Sequence, residues 1–523
     1  MCVRGTGKET LQMQQHLLHQ RQDVKCLLFA TLHPQKEQRY GVAFKPQEDP
    51  PELFVSVSGH FVDKVLNLNR LLAAKQMMAA DQTVHGVPPS LSARVVGSFA
   101  YLTVRDRLPT ILTKVVDTIH RNKNKFFEEY GEKGIEAEKQ TIALLSKLRN
   151  ELQTDKPVLP VTDGLQDTES WNRYLQRHQR LQEDQESVSW FKSPWLYVEC
   201  YMYRRIQEAI WLNPPISDYD YFNEAKTQSY FESQQAVMTL CTYVEGVNKN
   251  MEKLSKNQLF EHFIKLLQVS LWGNKCDLSI SAGQENSQKI SPIDSLNSLQ
   301  PFILVNDSNM VWSTLLAAQK PGQPGRVDVV LDNAGFELVT DLVLADFLVS
   351  SGLAREVHFH GKCFPWFVSD VTASDFKWTI QQTMAANHKW MSKSGAQWQR
   401  YLKQGVWSYH DHPFWTQPHE FCDMAADAPD LYATLQGADL VLFKGDLNYR
   451  KLTGDRDWDH TVGFDTALRG FGPAPLCSLR TLKANVQVGL QPGQGEKLAS
   501  QDPDWMTSGK YAVIQFYSPK SEQ

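Results

Sequence analysis

The sequence predicts an α/β protein in which an all-helical region precedes a largely parallel sheet with helices on both faces. From about residue 96 to residue 275, apolar residues repeat at helical spacing, and no strand of alternating pattern interrupts them. After residue 300, short runs rich in β-branched residues alternate with helical segments, which is typical of parallel sheets covered by helices.

We divide the 523 residues into three parts, because a single hydrophobic core stops growing at roughly 250–300 residues. Residues 1–95 are polar and weakly patterned, and we expect a disordered extension there. Residues 96–280 are expected to form the helical domain. Residues 300–523 are expected to form the α/β domain, which carries the active site.

The helical region shows its periodicity in successive segments. Two apolar stripes at helical spacing comprise Ile111, Leu112, Val115, Val116 and Ile119, and then Ile142, Leu145, Leu148 and Leu152. Further helices are predicted at Trp195–Trp211, at Gln234–Lys249 and at residues 257–272.

In the second region, buried strands are predicted at residues 327–331, 356–360, 440–443 and 511–516. A helix is predicted at residues 336–349, directly after the first strand. In open parallel sheets, ligands bind beyond the carboxyl ends of the strands. The search for functional residues therefore starts at those ends.

Composition excludes several classes of function. The net charge of −5 provides no basic field for nucleic acid, and no run of about 18 apolar residues indicates a membrane span. The N-terminus lacks the apolar core of a signal peptide. The eight cysteines are scattered without a CxxC pair, which favours reduced thiols. We expect a soluble protein of the cytoplasm, and also of the nucleus.

Polar groups follow three of the predicted strands. Asp332 and Asn333 come directly after the first strand, Asp370 follows the second, and Asp446 follows the third. Carboxylate and carboxamide oxygens suit hard divalent ions such as Mg²⁺ or Mn²⁺. An Asp-Asn pair after a strand is also a common turn or helix cap. The recurrence at matching strand ends favours a metal-dependent site.

Two cationic residues that could bind an anionic group such as phosphate, Arg480 and Lys483, lie near the C-terminus. Arginine offers a planar fork to phosphate oxygens, and lysine offers a point charge. On its own, an Arg-x-x-Lys pattern is more often a solvated helix face.

Four segments resemble the damage-control phosphatase family, formerly a domain of unknown function. They are Leu-Asp-Asn-Ala-Gly-Phe-Glu at 331–337, Phe-Lys-Gly-Asp-Leu-Asn-Tyr-Arg at 443–450, Arg-Thr-Leu-Lys at 480–483 and Trp-Gly-Asn-Lys-Cys-Asp-Leu at 272–278. The Arg-Thr-x-Lys element marks the third subfamily. The resemblance runs from about Gly97 to the C-terminus.

The resemblance implies a Rossmann-like α/β/α sandwich with an all-helical N-terminal domain. It implies a divalent metal (Mn²⁺, Co²⁺ or Ni²⁺) held by Asp332, Asn333 and Asp370. The implied substrates are small phosphate esters, with fructose 1-phosphate and fructose 6-phosphate typical of the subfamily. The residues implied in catalysis or substrate contact are Asp332, Asn333, Asp446, Leu447, Asn448, Tyr449, Arg450, Arg480 and Lys483.

Two other functions stay open at this point. The group has also been linked to S-adenosylmethionine-dependent O-methylation of protein glutamates, which would place Glu337 and Asp370 near the cofactor and add protein substrates. The first strand–helix turn has only one glycine, Gly335, instead of a glycine-rich run. The chain could also be a non-catalytic interaction protein. A phosphoaspartate route is disfavoured, because Ala334 stands where a second aspartate would be needed.

Overall fold

The sheet organises the C-terminal half of the chain. The computed structural model describes residues 86–181, 188–281, 291–319 and 325–519, without the side chains of residues 181 and 274–281. The strands are β1 (Ile303–Asn306), β2 (Arg326–Val330), β3 (Glu356–Gly361), β4 (Trp407–Asp411), β5 (Leu440–Lys444), β6 (Leu476–Thr481) and β7 (Ala512–Tyr517). Within the described residues they form one seven-stranded sheet of order β1-β7-β6-β5-β2-β3-β4.

Most strand pairs are parallel. From β4 to β6 across the sheet every pair is parallel, whereas β7 runs antiparallel to β6 and parallel to β1. The predicted α/β class with a largely parallel sheet is therefore confirmed. All four predicted strands are present, each within one residue of its expected start.

Three strands were not predicted, for different reasons. β1 is short and half-exposed, and β4 is an edge strand with two exposed residues at its end. β6 is buried throughout, but it contains Ser478, Arg480 and Thr481, whose polar side chains hide the apolar pattern of a buried strand. Arg480 thus lies in a buried strand, and the interpretation of Arg480–x–x–Lys483 as a solvated helix face is wrong.

Helices surround the sheet and make up most of the described residues that precede it. The helices of eight residues or more are α1 (Leu108–Arg121), α2 (Lys123–Tyr130), α3 (Glu132–Gln153), α4 (Thr168–Leu181), α5 (Trp195–Trp211), α6 (Asn223–Glu232), α7 (Gln234–Lys249), α8 (Lys256–Ser281), α9 (Ser308–Ala317), α10 (Phe336–Ser350), α11 (Ala373–Ala385), α12 (Lys389–Lys403), α13 (Pro429–Gln436), α14 (Gly445–Thr453) and α15 (Gln494–Gln501). Shorter helical turns cover Phe99–Leu102, Thr103–Arg107, Met251–Lys253, Leu296–Leu299, Gln300–Phe302, Pro413–Thr416, Phe421–Asp423, Met424–Asp427 and Phe464–Ala467. No described helix is long and apolar enough to cross a membrane.

Successive side chains of the central strands enter different cores, as the alternation of a strand requires. In β5, Leu440 and Leu442 pack with α7, α8 and α10–α12, whereas Val441 and Phe443 join the core on the opposite face. A sheet with a hydrophobic core on each face is the expected α/β/α sandwich.

A third core belongs to the helices of residues 93–222. It also takes in Trp366, Leu447 and Ala484, which lie in the segments beyond the carboxyl ends of the strands. The helical region therefore covers the edge of the sheet where the site was predicted.

The division into domains stays a prediction. Residues His85–Gln523 form one compact unit, and α7 and α8, placed in the helical domain from sequence, share a core with the sheet. Most of the predicted extension 1–95 lies outside the described residues. Residues 86–95 are described, and there Leu91 exchanges backbone hydrogen bonds with Asp455 and Trp195.

Candidate active site

The chain reverses its direction across the sheet between β2 and β5. From β2 it proceeds to β3 and β4 on one side, and from β5 to β6 on the other. These two strands are neighbours, with Val330 paired to Phe443 at their carboxyl ends. Ligands of open α/β sheets bind at such switch points. Asp332 and Asn333 follow β2, and Asp446 follows β5, so the topology brings the predicted residues to one place.

Asp370 reaches the same place through a backbone bridge. The Ala334 N–H donates to the Ser369 carbonyl (2.7 Å), and the Val371 N–H donates to the Asp332 carbonyl (2.9 Å). Asn333 and Asp370 are directly opposite in this antiparallel bridge. Side chains of opposite residues share one face of a strand pair, so the two predicted metal ligands are neighbours.

A strained turn leads to Asp370. Phe367 and Val368 both have positive φ, at 43° and 73°. A β-branched residue in this conformation is an outlier that the surrounding structure has to hold in place. Phe367 stacks on Tyr203 of α5 at 4.6 Å between ring centroids. The helical region thereby supports the loop that carries a predicted ligand.

The Asn333 side chain connects the acidic groups. Its Nδ2 donates to Asp332 Oδ2 (2.7 Å) and to Glu337 Oε2 (2.8 Å), and its Oδ1 accepts from the Ser369 hydroxyl. Glu337 lies in the first turn of α10 and is buried. The amide therefore acts as a neutral bridge between carboxylates that would otherwise repel each other.

Gly445, the first residue of α14, is in close contact with Asp332. Its φ is +83°, and a Cβ at this position would lie 1.9 Å from Asp332 Oδ2. A side chain other than hydrogen cannot occupy this space, and positive φ itself favours glycine. The glycine after Lys444 is thus needed for the position of the Asp332 carboxylate.

Negative charge accumulates at the site. Burial, followed by the carboxylates of Glu337 and Asp370, raises the pKa of Asp332 well above its usual value. Burial also raises the pKa of Asp370, although the Lys362 ammonium opposes this. Among the described residues, Asp332 has no ion-pair partner. The site is therefore short of positive charge where the predicted ligands meet.

Two buried lysines, which were not assigned a role from sequence, lie among the carboxylates of the site. Lys362 Nζ lies 3.1 Å from Asp370 Oδ2 and donates to the Leu331 carbonyl. Lys444 Nζ lies 2.7 Å from Asp341 Oδ1 and 3.2 Å from Glu337 Oε1. Both follow or end predicted strands, a position that could have drawn attention to them. Each ammonium offsets the charge of carboxylates behind Asp332.

Asp446, Arg480 and Lys483 form a second group beside the carboxylates. Asp446 Oδ1 accepts from Arg480 Nε (2.7 Å) and from the Lys483 backbone N–H (3.1 Å). The Arg480 guanidinium is fully buried and also donates to the carbonyls of Val486 and Ala484. The Lys483 ammonium has no hydrogen bond or ion pair to any described residue. Lys483 is thus the cation of this group that is free to meet a ligand.

The rest of the predicted substrate segment is buried. Leu447 belongs to the core of the helical region, and Asn448 Nδ2 donates to the Lys444 carbonyl (2.7 Å). Tyr449 Oη donates to Gln515 Oε1 (2.8 Å), and Arg450 is bound by Asp455 and by Glu199 of α5. These side chains hold α14 in place, and their contact with a substrate stays a prediction.

The Gly-Asn-x-x-Asp element at 273–277 begins in contact with α10 near Glu337. A Cβ on Gly273 would lie 3.0 Å from Glu337 Cα and 2.8 Å from Thr340 Oγ1. Gly273 therefore allows α8 to approach α10 at Glu337. The roles of Asn274 and Asp277 concern side chains outside the described ones.

A cavity of about 430 Å³ lies between the helical region and the α/β part. Its walls include residues 363–365 and 372–374, which flank the loop of Asp370, and residues 217–220. None of the predicted site residues lines this cavity.

Comparison with known proteins identifies the relatives of this chain. Residues 103–498 match the model of the damage-control phosphatase ARMT1-like domain. The chain is 72% identical over 440 residues to damage-control phosphatase ARMT1 of Danio rerio, which covers 83% of this chain and 98% of the relative. It is 59% identical over 437 residues to the protein of that name from Homo sapiens, covering 83% and 99%. The chain therefore belongs to the ARMT1-like damage-control phosphatase family.

Proposed function

We propose that this protein hydrolyses small phosphate monoesters in a reaction that depends on a divalent metal. The observation that carries the proposal is the meeting of Asp332, Asn333 and Asp370 at the switch point of the sheet, with Lys483 free beside them. Membership of a phosphatase family supports the reaction class.

The residues at this point fit a divalent cation. Asp332 and Asp370 offer carboxylate oxygens, Asn333 offers an amide oxygen, and such oxygen donors suit Mg²⁺ or Mn²⁺. The raised pKa of Asp332, caused by burial and by the neighbouring carboxylates, indicates a deficit of positive charge. When bound, the metal supplies Lewis acidity toward a phosphoryl oxygen and lowers the pKa of water. From sequence we expect Mn²⁺, Co²⁺ or Ni²⁺.

The remaining residues bind and orient the substrate. Lys483 supplies a positive charge for the phosphoryl oxygens, whose charge increases in the transition state. Asp446 keeps Oδ2 without a hydrogen bond to any described residue, so this oxygen is available to a water or to a sugar hydroxyl. Arg480 is a positioning residue, because its guanidinium is fully buried and holds Asp446 and the 484–486 turn.

We infer sugar phosphates such as fructose 1-phosphate and fructose 6-phosphate as substrates, on the resemblance of the Arg-Thr-x-Lys element to its subfamily. The scattered cysteines favour a location in the cytoplasm or nucleus. Hydrolysis by direct attack of water is favoured over a phosphoaspartate route, because position 334 is alanine. Trapping of phosphate on Asp332 in a single turnover would reverse that choice.

Methyl transfer from S-adenosylmethionine to protein glutamates is the second candidate, and it has less support. Glu337, assigned to that cofactor from sequence, is engaged by Asn333 and Lys444. An interaction protein without catalysis is the third candidate, and an intact set of site residues argues against it. Binding of S-adenosylmethionine by calorimetry tests the second candidate directly.

The test is phosphate release from a panel of sugar phosphates with Mg²⁺, Mn²⁺, Co²⁺ or Ni²⁺. We expect metal-dependent turnover in the wild type and its loss in Asp332→Ala. Asp411→Ala is a matched control, because Asp411 also ends a strand of the sheet but is exposed on the edge strand β4. Turnover without added metal after chelation, or full activity in Asp332→Ala, would refute the proposal.

A further inference from the structure

A second group of ligand-type side chains lies away from the active site. One imidazole nitrogen of His419 and one carboxylate oxygen each from Asp423 and Asp427 lie within 4.8 Å of one another. Asp423 and Asp427 are four residues apart across the short helical turns Phe421–Asp423 and Met424–Asp427. This spacing places both carboxylates on one face.

His419 is aimed into this group without satisfying its nitrogens. Its side chain is only 3% exposed, and neither ring nitrogen has a hydrogen-bond partner among the described residues. Nδ1 lies 3.3 Å from Asp427 Oδ2, but the direction is outside hydrogen-bond geometry. A buried polar group without a partner costs about 1–3 kcal/mol. A cation bound between the His419 nitrogen and the Asp427 carboxylate would remove that cost.

Both carboxylates and cations surround His419. Burial, followed by the cations Arg177 and Lys451, lowers the pKa of His419 to about 3. Burial and the carboxylates of Glu420 and Asp427 raise the pKa of Asp423 to about 6. Arg177 is the nearest cation to Asp427, and at 3.8 Å it is beyond hydrogen-bond distance.

We propose that His419, Asp423 and Asp427 bind a second divalent cation of the transition-metal type, separate from the catalytic one. An imidazole nitrogen with two carboxylate oxygens suits ions such as Co²⁺, Zn²⁺ or Mn²⁺ better than Mg²⁺ or Ca²⁺. With bonds of about 2.0–2.2 Å, three ligand atoms spread evenly around one ion lie up to about 3.8 Å apart. The three side chains, whose ligand atoms lie within 4.8 Å of one another, would therefore move closer together by about 1 Å on binding.

The position of the site indicates a structural role. Tyr174 of α4 packs edge-on against His419 at 4.9 Å between ring centroids, and Arg177 comes from the same helix. On the other side, the carbonyls of Trp415 and Gln417 accept hydrogen bonds from Lys451 of α14. The cation would stabilise the segment of residues 415–427 between α4 of the helical region and α14, the helix that carries Asp446.

Co²⁺ binding to the full chain tests the proposal by equilibrium dialysis. We compare the wild type with Asp332→Ala, His419→Gln and the double variant. We expect two bound equivalents in the wild type, one in each single variant and none in the double variant. If only the active-site proposal fails, the wild type binds one equivalent, which His419→Gln abolishes and Asp332→Ala retains. An unchanged count in His419→Gln overturns the second site.

A gentler variant covers the case in which His419→Gln fails to fold. Asp427→Asn changes a partly exposed carboxylate. In the Asp332→Ala background, we expect it to lower the affinity for Co²⁺ at least about tenfold, since even changes to residues outside the metal's direct ligands have this effect. Asp430→Asn is the matched control, because this exposed aspartate contacts His412 outside the group. Equal Co²⁺ affinity in Asp427→Asn and Asp430→Asn overturns the proposal.

Discussion

Substitution of Gly445 by alanine tests the site geometry without removing any polar group. Gly445 has φ +83°, a conformation that costs an L-residue about 1–2 kcal/mol. The added Cβ would lie 1.9 Å from Asp332 Oδ2 and 2.1 Å from its Cγ. Ordinary contacts begin at roughly 3.4 Å, so the Asp332 carboxylate has to move by more than about 1 Å.

A misplacement of about 1 Å in a catalytic group costs on the order of 100-fold in rate. We therefore expect Gly445→Ala to lower kcat/KM for the proposed sugar-phosphate substrates by about 100-fold or more. The free energy of unfolding should fall by at least about 1–2 kcal/mol. Steady-state kinetics at saturating metal and denaturant unfolding measure the two quantities.

Gly470→Ala provides the matched control. Gly470 has φ +87°, and no described atom lies within 4 Å of the position that an added Cβ would occupy. The backbone cost should be similar to that of Gly445→Ala, whereas the activity should stay at the wild-type level. If the two variants have equal kcat/KM, the contact between Gly445 and Asp332 does not position the carboxylate, and the reasoning is refuted.

Three further predictions concern buried or unpaired charged groups. Lys483→Met should lower kcat/KM by about 100- to 1,000-fold with little loss of stability. Arg480→Met should instead lower the unfolding free energy by about 3–5 kcal/mol. Equal melting temperatures of the two variants would contradict this difference. Lys444→Met should destabilise by a similar 3–5 kcal/mol, because it leaves Glu337 and Asp341 without a cation, and unchanged urea unfolding would disprove this. Burial raises the pKa of Asp346 to about 6, so the folded state favours the protonated carboxyl. The stability that this protonation contributes is complete below about pH 4 and is lost as the pH rises through about 6. Asp346→Asn should remove on the order of 3 kcal/mol of the pH dependence of stability between pH 4 and 7, and an unaltered profile would contradict this.

The local sequence pattern was sufficient to predict the helices and strands whose buried side chains are apolar. α5 and α7 begin and end where the sequence predicts, because their apolar residues repeat at helical spacing. The central strands β2 and β5 were predicted because they are short, apolar and bounded by turn residues. β6 was missed, since a buried arginine within a strand has no local signature.

The sequence also predicted which residues to place at the candidate site, since strand ends of a parallel sheet meet at one edge. This rule selected Asp332, Asn333 and Asp370, and the structure brings their side chains together, whereas their function stays a prediction. Their surroundings depend on contacts across long stretches of chain. The pairing of Lys362 with Asp370 and the approach of Gly445 to Asp332 could not be predicted from any single segment.

Tertiary structure alone decided which charged groups are free and which are used for packing. Arg450 and Arg480 have the same formal charge as Lys483, yet both are buried among partners. Of these three side chains, the Lys483 ammonium alone has no hydrogen bond or ion pair to a described residue. The physical reason is that hydrophobicity is a property of each residue and repeats along the chain. Pairing of a charge instead depends on groups that folding brings together from distant positions.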